Sequence, residues 1–419
     1  MMASNGYGSI SSTSLLQNNG GAPEGILRAK ILLLGLRRSG KSSIYEFLFN
    51  GLPPKQTFYL EMTTRVMKHI YDTVIPLEIW DCPGTTTIET LGVPLTQFST
   101  LVFVIDIQDL YQQPIAKFVD FAIAAYRENP NLNLEVFVHK ADALSEEYKI
   151  ETFRLIQQHV SEELLDISED YEQIPINFHL TSIYDHSLHE AFSRVLHKLI
   201  DSLPYLEDLL NVFCANSQSS KAFLFDTRSR LYVATDASPV DPPTHSLCNN
   251  YLQMLNSFGP LYRSSTASPL RNRTVEPSAD PTPSSSQVAT PQQRASSVPT
   301  SASQTPKVPT ASLQPPTPSK PRSNAPSISA ASTSTTSSSS RSKPKSLFYP
   351  SASTSLSPSS SGTGTTLTYH LITSQLALLA LLPTSVYDLK RGLVEYNVVF
   401  FREGVQEICD VEEEIRQVG

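Results

Sequence analysis

Cysteine is scarce in this 419-residue chain: Cys82, Cys214, Cys248 and Cys409 stand far apart and make no C-x-x-C pair. That excludes a disulfide framework and predicts a reducing, intracellular compartment. A long apolar run is also missing. The longest, LITSQLALLALLP at 371–383, is too short and too broken to span a bilayer. Positive charge is in deficit, with 32 Lys and Arg against 40 Asp and Glu, which argues against nucleic acid as the main partner. The opening MMASNGYGSISSTS lacks the basic start and apolar run of a signal peptide. Met2 stands where myristoylation needs glycine, and the closing RQVG is no C-a-a-X box. Any membrane contact is therefore expected through a partner.

Proline is abundant and unevenly spread. Most of the 31 prolines fall in a Ser/Thr/Pro tract between about 263 and 363, where aromatic and branched apolar residues nearly vanish. Such a segment buries too little surface to offset its chain entropy, so 263–344 is expected to be a disordered insertion, with 351–363 a further flexible stretch and 1–25 a disordered tail. From Arg263 to Lys345 there are ten Lys and Arg and two acids, so a tract of +8 inside a chain of −8 leaves about −16 elsewhere. The spread-out basic tract offers a diffuse attraction to anionic lipid, with plain solubility as the alternative. Proline follows Ser268, Thr282, Thr290, Thr305, Thr317 and Ser357, a pattern that suits proline-directed kinases and that this composition also produces by chance.

The first chemistry-bearing stretch is RAKILLLGLRRSGKSSIYEFLF. Gly35, Gly40, Lys41 and Ser42 fit G-x-x-x-x-G-K-[ST], between an apolar strand and the start of an amphipathic helix, the order a phosphate loop requires. Backbone amides of the loop point at phosphates, Lys41 reaches their outer oxygens, and the Ser42 hydroxyl ligates Mg²⁺. Gly35, Arg38, Ser39, Gly40, Lys41, Ser42 and Ser43 are the nucleotide-binding candidates there. Arg38 flanks the phosphates through its backbone, and Arg37 is either a solvated side chain or a catalytic one.

Further on, LEIWDCPG sets an apolar strand before Asp81, expected to hold Mg²⁺ through water, and before Gly84, whose amide senses a terminal phosphate. LVFVIDIQD, KFVDFAIAAYRE and LEVFVHKAD read as strand, helix and strand, and such alternation makes a mostly parallel sheet with helices on both faces. In HKAD the Asp142 carboxylate can accept from the ring N–H and exocyclic amine of guanine, a pair adenine lacks. His139 and Lys140 precede it. HLTSIYDHS supplies a strand followed by Ser182 and Ile183. An ATP-using P-loop enzyme is disfavoured by HKAD.

GLRRSGKSSI, LEMT, VFVHKADALSEEYKIET, LTSIYDHS, AFLFD and YVATDASPVD together resemble the Rag/Gtr family of Ras-like small GTPases, in particular its RagC/RagD-like branch, in which HKxD stands for NKxD. The resemblance implies GTP/GDP and Mg²⁺ as cofactors. Thr63 would be the switch threonine that closes over the metal and γ-phosphate, and Thr57 a polar residue earlier in that switch. Ser182 and Ile183 would form a last base-contacting loop. Lys41, Thr63, Gly84 and Thr85 would form the catalytic set, with Ser42, Thr63 and Asp81 at the metal. Thr85 stands where the family carries a water-orienting Gln, and the segment down to LVFVID is short by about a helical turn, so slow intrinsic hydrolysis is expected.

The implied organisation is a GTPase domain over 26–203 and a roadblock/longin-type α/β dimerisation domain over 204–262 and 345–419. The chain would pair with a RagA-like GTPase and relay amino-acid status to the target-of-rapamycin kinase complex on a vacuolar or lysosomal scaffold. It would be cytoplasmic, recruited to that membrane surface, with a nuclear pool as a further expectation. A catalytically weak pseudo-GTPase scaffold of the same complex is the rival reading.

Overall fold

In the computed structural model, β1 (Ala29–Gly35), β2 (Met67–Asp72), β3 (Pro76–Asp81), β4 (Thr100–Asp106), β5 (Asn133–His139) and β6 (Ile176–Thr181) form one sheet in the order β2-β3-β1-β4-β5-β6. Every pairing is parallel except that of β2 with β3. The structure describes residues 28–262, 268–269, 347–356 and 364–418. The expected tail 1–25 and, apart from 268–269, the insertion 263–344 lie outside them, as do the Ser/Thr-Pro sites other than Ser268.

The central strands are continuously apolar because both faces are covered. On one face Ile31, Leu33, Val102, Val104 and Phe137 pack with α1 (Lys41–Phe49) and, after the four-residue α2 (Ile88–Leu91), α3 (Gln112–Glu128) and α4 (Glu146–Ile167), with α5 (Ser187–His197). On the other, Leu32, Leu34, Leu101, Phe103 and Val136 pack with α3 and α4. The spacing of Ile115, Phe118, Val119 and Ala122 gives α3 its buried stripe, and Pro130 bars its continuation past Asn129. Burying Ile115 or Phe118 in this stripe contributes roughly 1.5–3 kcal/mol.

A second sheet follows α6 (Leu203–Ser217). It is antiparallel throughout, in the order β11-β12-β13-β7-β8, from β7 (Lys221–Asp226), β8 (Tyr232–Thr235), β11 (Ser351–Leu356), β12 (Thr365–Leu371) and β13 (Leu376–Pro383). α6 and α8 (Thr384–Val418) cover one face and α7 (Pro242–Tyr262) the other. β9 (Ser268–Pro269) and β10 (Leu347–Phe348) make a two-residue antiparallel pair. The core under α6 and α8 is continuous with that under α1 and α5. The stretch 351–363, expected to be flexible, is corrected over Ser351–Leu356. Backbone hydrogen bonding to β12 makes it an edge strand, with Ala352 and Leu356 on its half-buried face packing against the core.

Histidines are buried or half-buried on α5, α7 and β12. His189 is fully buried, neither ring nitrogen has a hydrogen-bond partner, and burial, Arg230, His186 and His245 hold its pKa well below the usual value. Burial likewise pulls His197, His245 and His370 to about 4. The unfolded chain therefore binds more protons than the folded one between about pH 6.5 and pH 4. Stability is present above that window and is lost as pH falls through it, each histidine steepening the loss by up to about 1.4 kcal/mol per pH unit. Urea unfolding at pH 7.5 and 5.5 should show this drop, and His189→Leu should shrink it.

Candidate functional site

The loop after β1 is shaped by backbone conformations that side chains resist. Gly35 has φ +141, Arg38 φ +64 and Gly40 φ +106. A Cβ on Gly35 would lie 2.4 Å from the Val104 carbonyl oxygen of β4, and one on Gly40 would lie 2.6 Å from Cδ2 of His139. Only glycine fits either place. Gly40 gives α1 no side-chain cap, so the first-turn amides stay open to an anion. Lys41 is buried and donates to the carbonyls of Gly35 (3.1 Å) and Leu36 (2.8 Å). Burial lowers its pKa to about 8, with Asp81 opposing and Lys117 reinforcing the shift. Ser39 is buried beside Gly35 with no partner for its hydroxyl, and Ser43 lies in the first turn of α1.

Three oxygens meet at the end of β3. The Ser42 hydroxyl lies 2.7 Å from that of Thr63, and both donate to Oδ2 of Asp81, at 2.5 and 3.1 Å. Asp81 is 2% exposed, and its Oδ1 is buried with no hydrogen-bond partner. A cluster of hard oxygens with one unsatisfied carboxylate oxygen fits Mg²⁺, which takes such ligands. Ser42, Thr63 and Asp81 would hold it.

The ends of β5 and β6 supply the other side. His139 is 1% exposed, and its Nδ1 bonds the Thr181 hydroxyl at 3.0 Å. Burial, then Lys140, lowers its pKa to about 4 against the pull of Asp142, so the ring is neutral near pH 7. It supports Gly40 from beneath. Lys140 donates to the Arg38 carbonyl (2.7 Å) and pairs with Asp106 (2.5 Å), tying the base-side loop to the phosphate loop. Asp142 is exposed, and Ser182 donates to its Oδ1 at 2.5 Å. The Ile183 side chain packs into the core.

Gly84 rests on the phosphate loop, for a Cβ there would meet Arg37 N at 2.4 Å. Thr85 is exposed, and its neighbour Thr86 is buried. Thr57 stays apart: its hydroxyl donates to Pro54 within its own turn, and among the described residues no hydrogen bond joins it to the other site residues. Arg37 reaches the Met62 sulfur at 2.9 and 3.1 Å, across to the Thr63 loop. Asp106 and Thr181 escaped the sequence reading, although both end parallel strands, where ligand groups collect. Lys117, which bonds the Gly84 carbonyl, carries no sequence signal at all.

With that geometry in view, the conserved region of the Gtr1/RagA G protein family matches residues 30–252. GTP-binding protein gtr2 of Schizosaccharomyces pombe is 46% identical over 57% of this chain and 77% of its own length. Ras-related GTP-binding protein D of Mus musculus is 43% identical over 56% and 54%, and GTP-binding protein GTR2 of Saccharomyces cerevisiae 39% over 56% and 70%. The chain thus spans little more than half of the mouse protein.

Gly40→Ala should destabilise the chain by about 1–3 kcal/mol through its backbone conformation alone, with the His139 contact adding to it. Thermal unfolding of Gly40→Ala with and without His139→Ala should show partial recovery in the double variant, since the second change relieves the contact and leaves the strain.

Proposed function

Because the chain belongs to the Gtr1/RagA G protein family and stands with its Gtr2, RagC and RagD members, we propose that it is a RagC-like signalling subunit holding GTP or GDP in the site above. By family it is a small GTPase, a hydrolase acting on GTP. The observation that carries this reading is the meeting of Ser42, Thr63 and Asp81 beside the uncapped end of α1. Mg²⁺, when bound there, would neutralise charge on the phosphates. Gly35, Arg38, Ser39, Gly40 and Ser43 line the phosphates, Lys41 meets their outer oxygens, and Thr63 and Gly84 respond to the terminal one. Asp142 reads the guanine edge while Lys140, Ser182 and Ile183 shape its pocket. His139 acts from below, through Gly40.

The C-terminal sheet with α6, α7 and α8 is read as the roadblock/longin-type half that pairs with a RagA-like GTPase. Leu393, Tyr396 and Phe400 support this reading, exposed at helical spacing on α8. The heterodimer would relay amino-acid status to the target-of-rapamycin complex on a scaffold at the vacuolar or lysosomal surface, with cytoplasmic and nuclear pools besides. A second reading, a catalytically weak scaffold of the same assembly, is favoured by Thr85, which is exposed and too short to orient water as a Gln does.

Two measurements test these readings. Competition binding should show GTP and GDP preferred over ATP. Asp142→Asn, which exchanges an acceptor for a donor, should shift preference to xanthine nucleotides; unchanged preference for guanine would remove Asp142 from base reading. In single-turnover decay the wild type should hydrolyse GTP slowly and Thr85→Gln faster. An ordinary rate unaffected by the substitution would mean that another group holds the water, and no turnover in either form would favour the scaffold.

A further inference from the structure

Lys117 lies in α3, far from any phosphate-loop motif, yet its Nζ donates to the carbonyl oxygen of Gly84 at 2.8 Å. Gly84 is pinned on its other side by the phosphate loop, where an added Cβ would meet the backbone nitrogen of Arg37 at 2.4 Å and its Cγ at 2.7 Å. The Gly84–Thr85 peptide is thus held between α3 and the loop. α3 also secures the far end of the same segment, because Glu128 accepts the Leu95 amide at 2.8 Å. Between these two anchors α2 has only four residues, capped by its own Thr87 and Thr90. Leu91 and Leu95 hold the later part of the segment in the core, whereas at its first residue the side-chain tether is that of Lys117.

The ammonium is unusual in its company. Lys117 is half-buried, and among the described residues no carboxylate forms an ion pair with it or with Lys41, which is likewise held by carbonyls. Two neighbouring cations bonded to backbone oxygens, with a single buried carboxylate at Asp81, form a site that gains from an added anion. A charge-assisted bond to a carbonyl is about twice as strong as a neutral one, which suits Lys117 to fixing one peptide.

Resting on the guanine-nucleotide reading above, we propose that Lys117 is a positioning residue for the terminal phosphate, acting through the Gly84 peptide and therefore on GTP and not on GDP. Gly84 is the residue expected to sense the γ-phosphate. A diphosphate ends short of it and draws nothing from the tether.

The test compares the full chain with Lys117→Met, which keeps length and loses the donor, and Lys117→Arg, which keeps charge and donor. Dissociation constants are measured for GDP and a non-hydrolysable GTP analogue. Lys117→Met should weaken the analogue about tenfold, the scale of a lost hydrogen bond to a charged group, with GDP changed by less than about twofold. Lys117→Arg should restore the ratio. Should the Met variant fail to fold, Lys117→Gln, with a neutral donor, carries the same comparison at about threefold. Equal loss for both nucleotides marks a merely structural role and overturns the proposal, as do no loss or a selective loss that Arg leaves in place. If wild type binds neither guanine nucleotide, the functional reading falls and this inference with it. Binding by wild type with an unaltered ratio in the variant removes Lys117 alone.

Discussion

The buried carboxylate of Asp81 sets the terms for the nucleotide-binding half. An ionised carboxylate taken out of water costs several kcal/mol unless hydrogen bonds and opposite charge compensate it. Here the compensation comes from two elements: the Ser42 hydroxyl and the nearby Lys41 ammonium at the start of α1, and the Thr63 hydroxyl in the loop before β2. Parallel pairing of β1 with β3 places Asp81 beside Leu33, and the Cys82 amide continues the ladder to the Leu33 carbonyl. Once that register is established, the phosphate loop and the Thr63 loop have a common anchor. Its remaining oxygen, Oδ1, has no hydrogen-bond partner among the described residues, which suits it to a cation.

The same strands tie the site to the second sheet. β2 follows the Thr63 loop, and the Tyr71 hydroxyl on it donates at 2.6 Å to Asp226 at the end of β7. Burial, first among the causes, raises the Asp226 pKa, while Ser229 and Tyr71 counter it by hydrogen bonding. Beneath them the apolar layer is continuous from Ile44 and Leu48 of α1 through Phe192 of α5 to Leu210 of α6 and Phe401 of α8. A helix that begins at the phosphate-binding turn thus shares one core with the C-terminal helices. Close packing transmits displacement because such interiors have few voids to absorb it.

What was legible in the sequence follows a physical divide. Local rules act within a few residues, so the strand-loop-helix around Gly35 to Ser42 and the strands ending at Asp81 and His139 could be read directly. The alternation of apolar strands and helices likewise carried the parallel sheet. Side-chain destinations set by tertiary packing could not be read. His139 stands where the motif suggests a base contact, yet its ring is committed to Thr181 and to the space under Gly40. Ile183 is drawn into the core, and Thr57 closes on its own turn. SASTSL carries only Ala352 and Leu356 as a sparse apolar face and still forms β11, because backbone hydrogen bonds to β12 supply most of what an edge strand needs.

The division of labour within the site follows from which elements are rigid. Gly35, Lys41, Asp81 and His139 lie at strand ends or at the start of a helix packed on the sheet, so the groups proposed to grip phosphate and metal are preorganised. Thr85 is exposed at the start of a segment whose α2 has four residues and whose Leu91 and Leu95 reach the core. The Thr85 side chain itself stays exposed, so water positioning is not preorganised in the way that the strand-end groups are. Binding and turnover are therefore separable properties of this chain. The first is built into strand ends; the second depends on what orders the residues between Gly84 and Leu95, where α3 supplies the contacts at both ends.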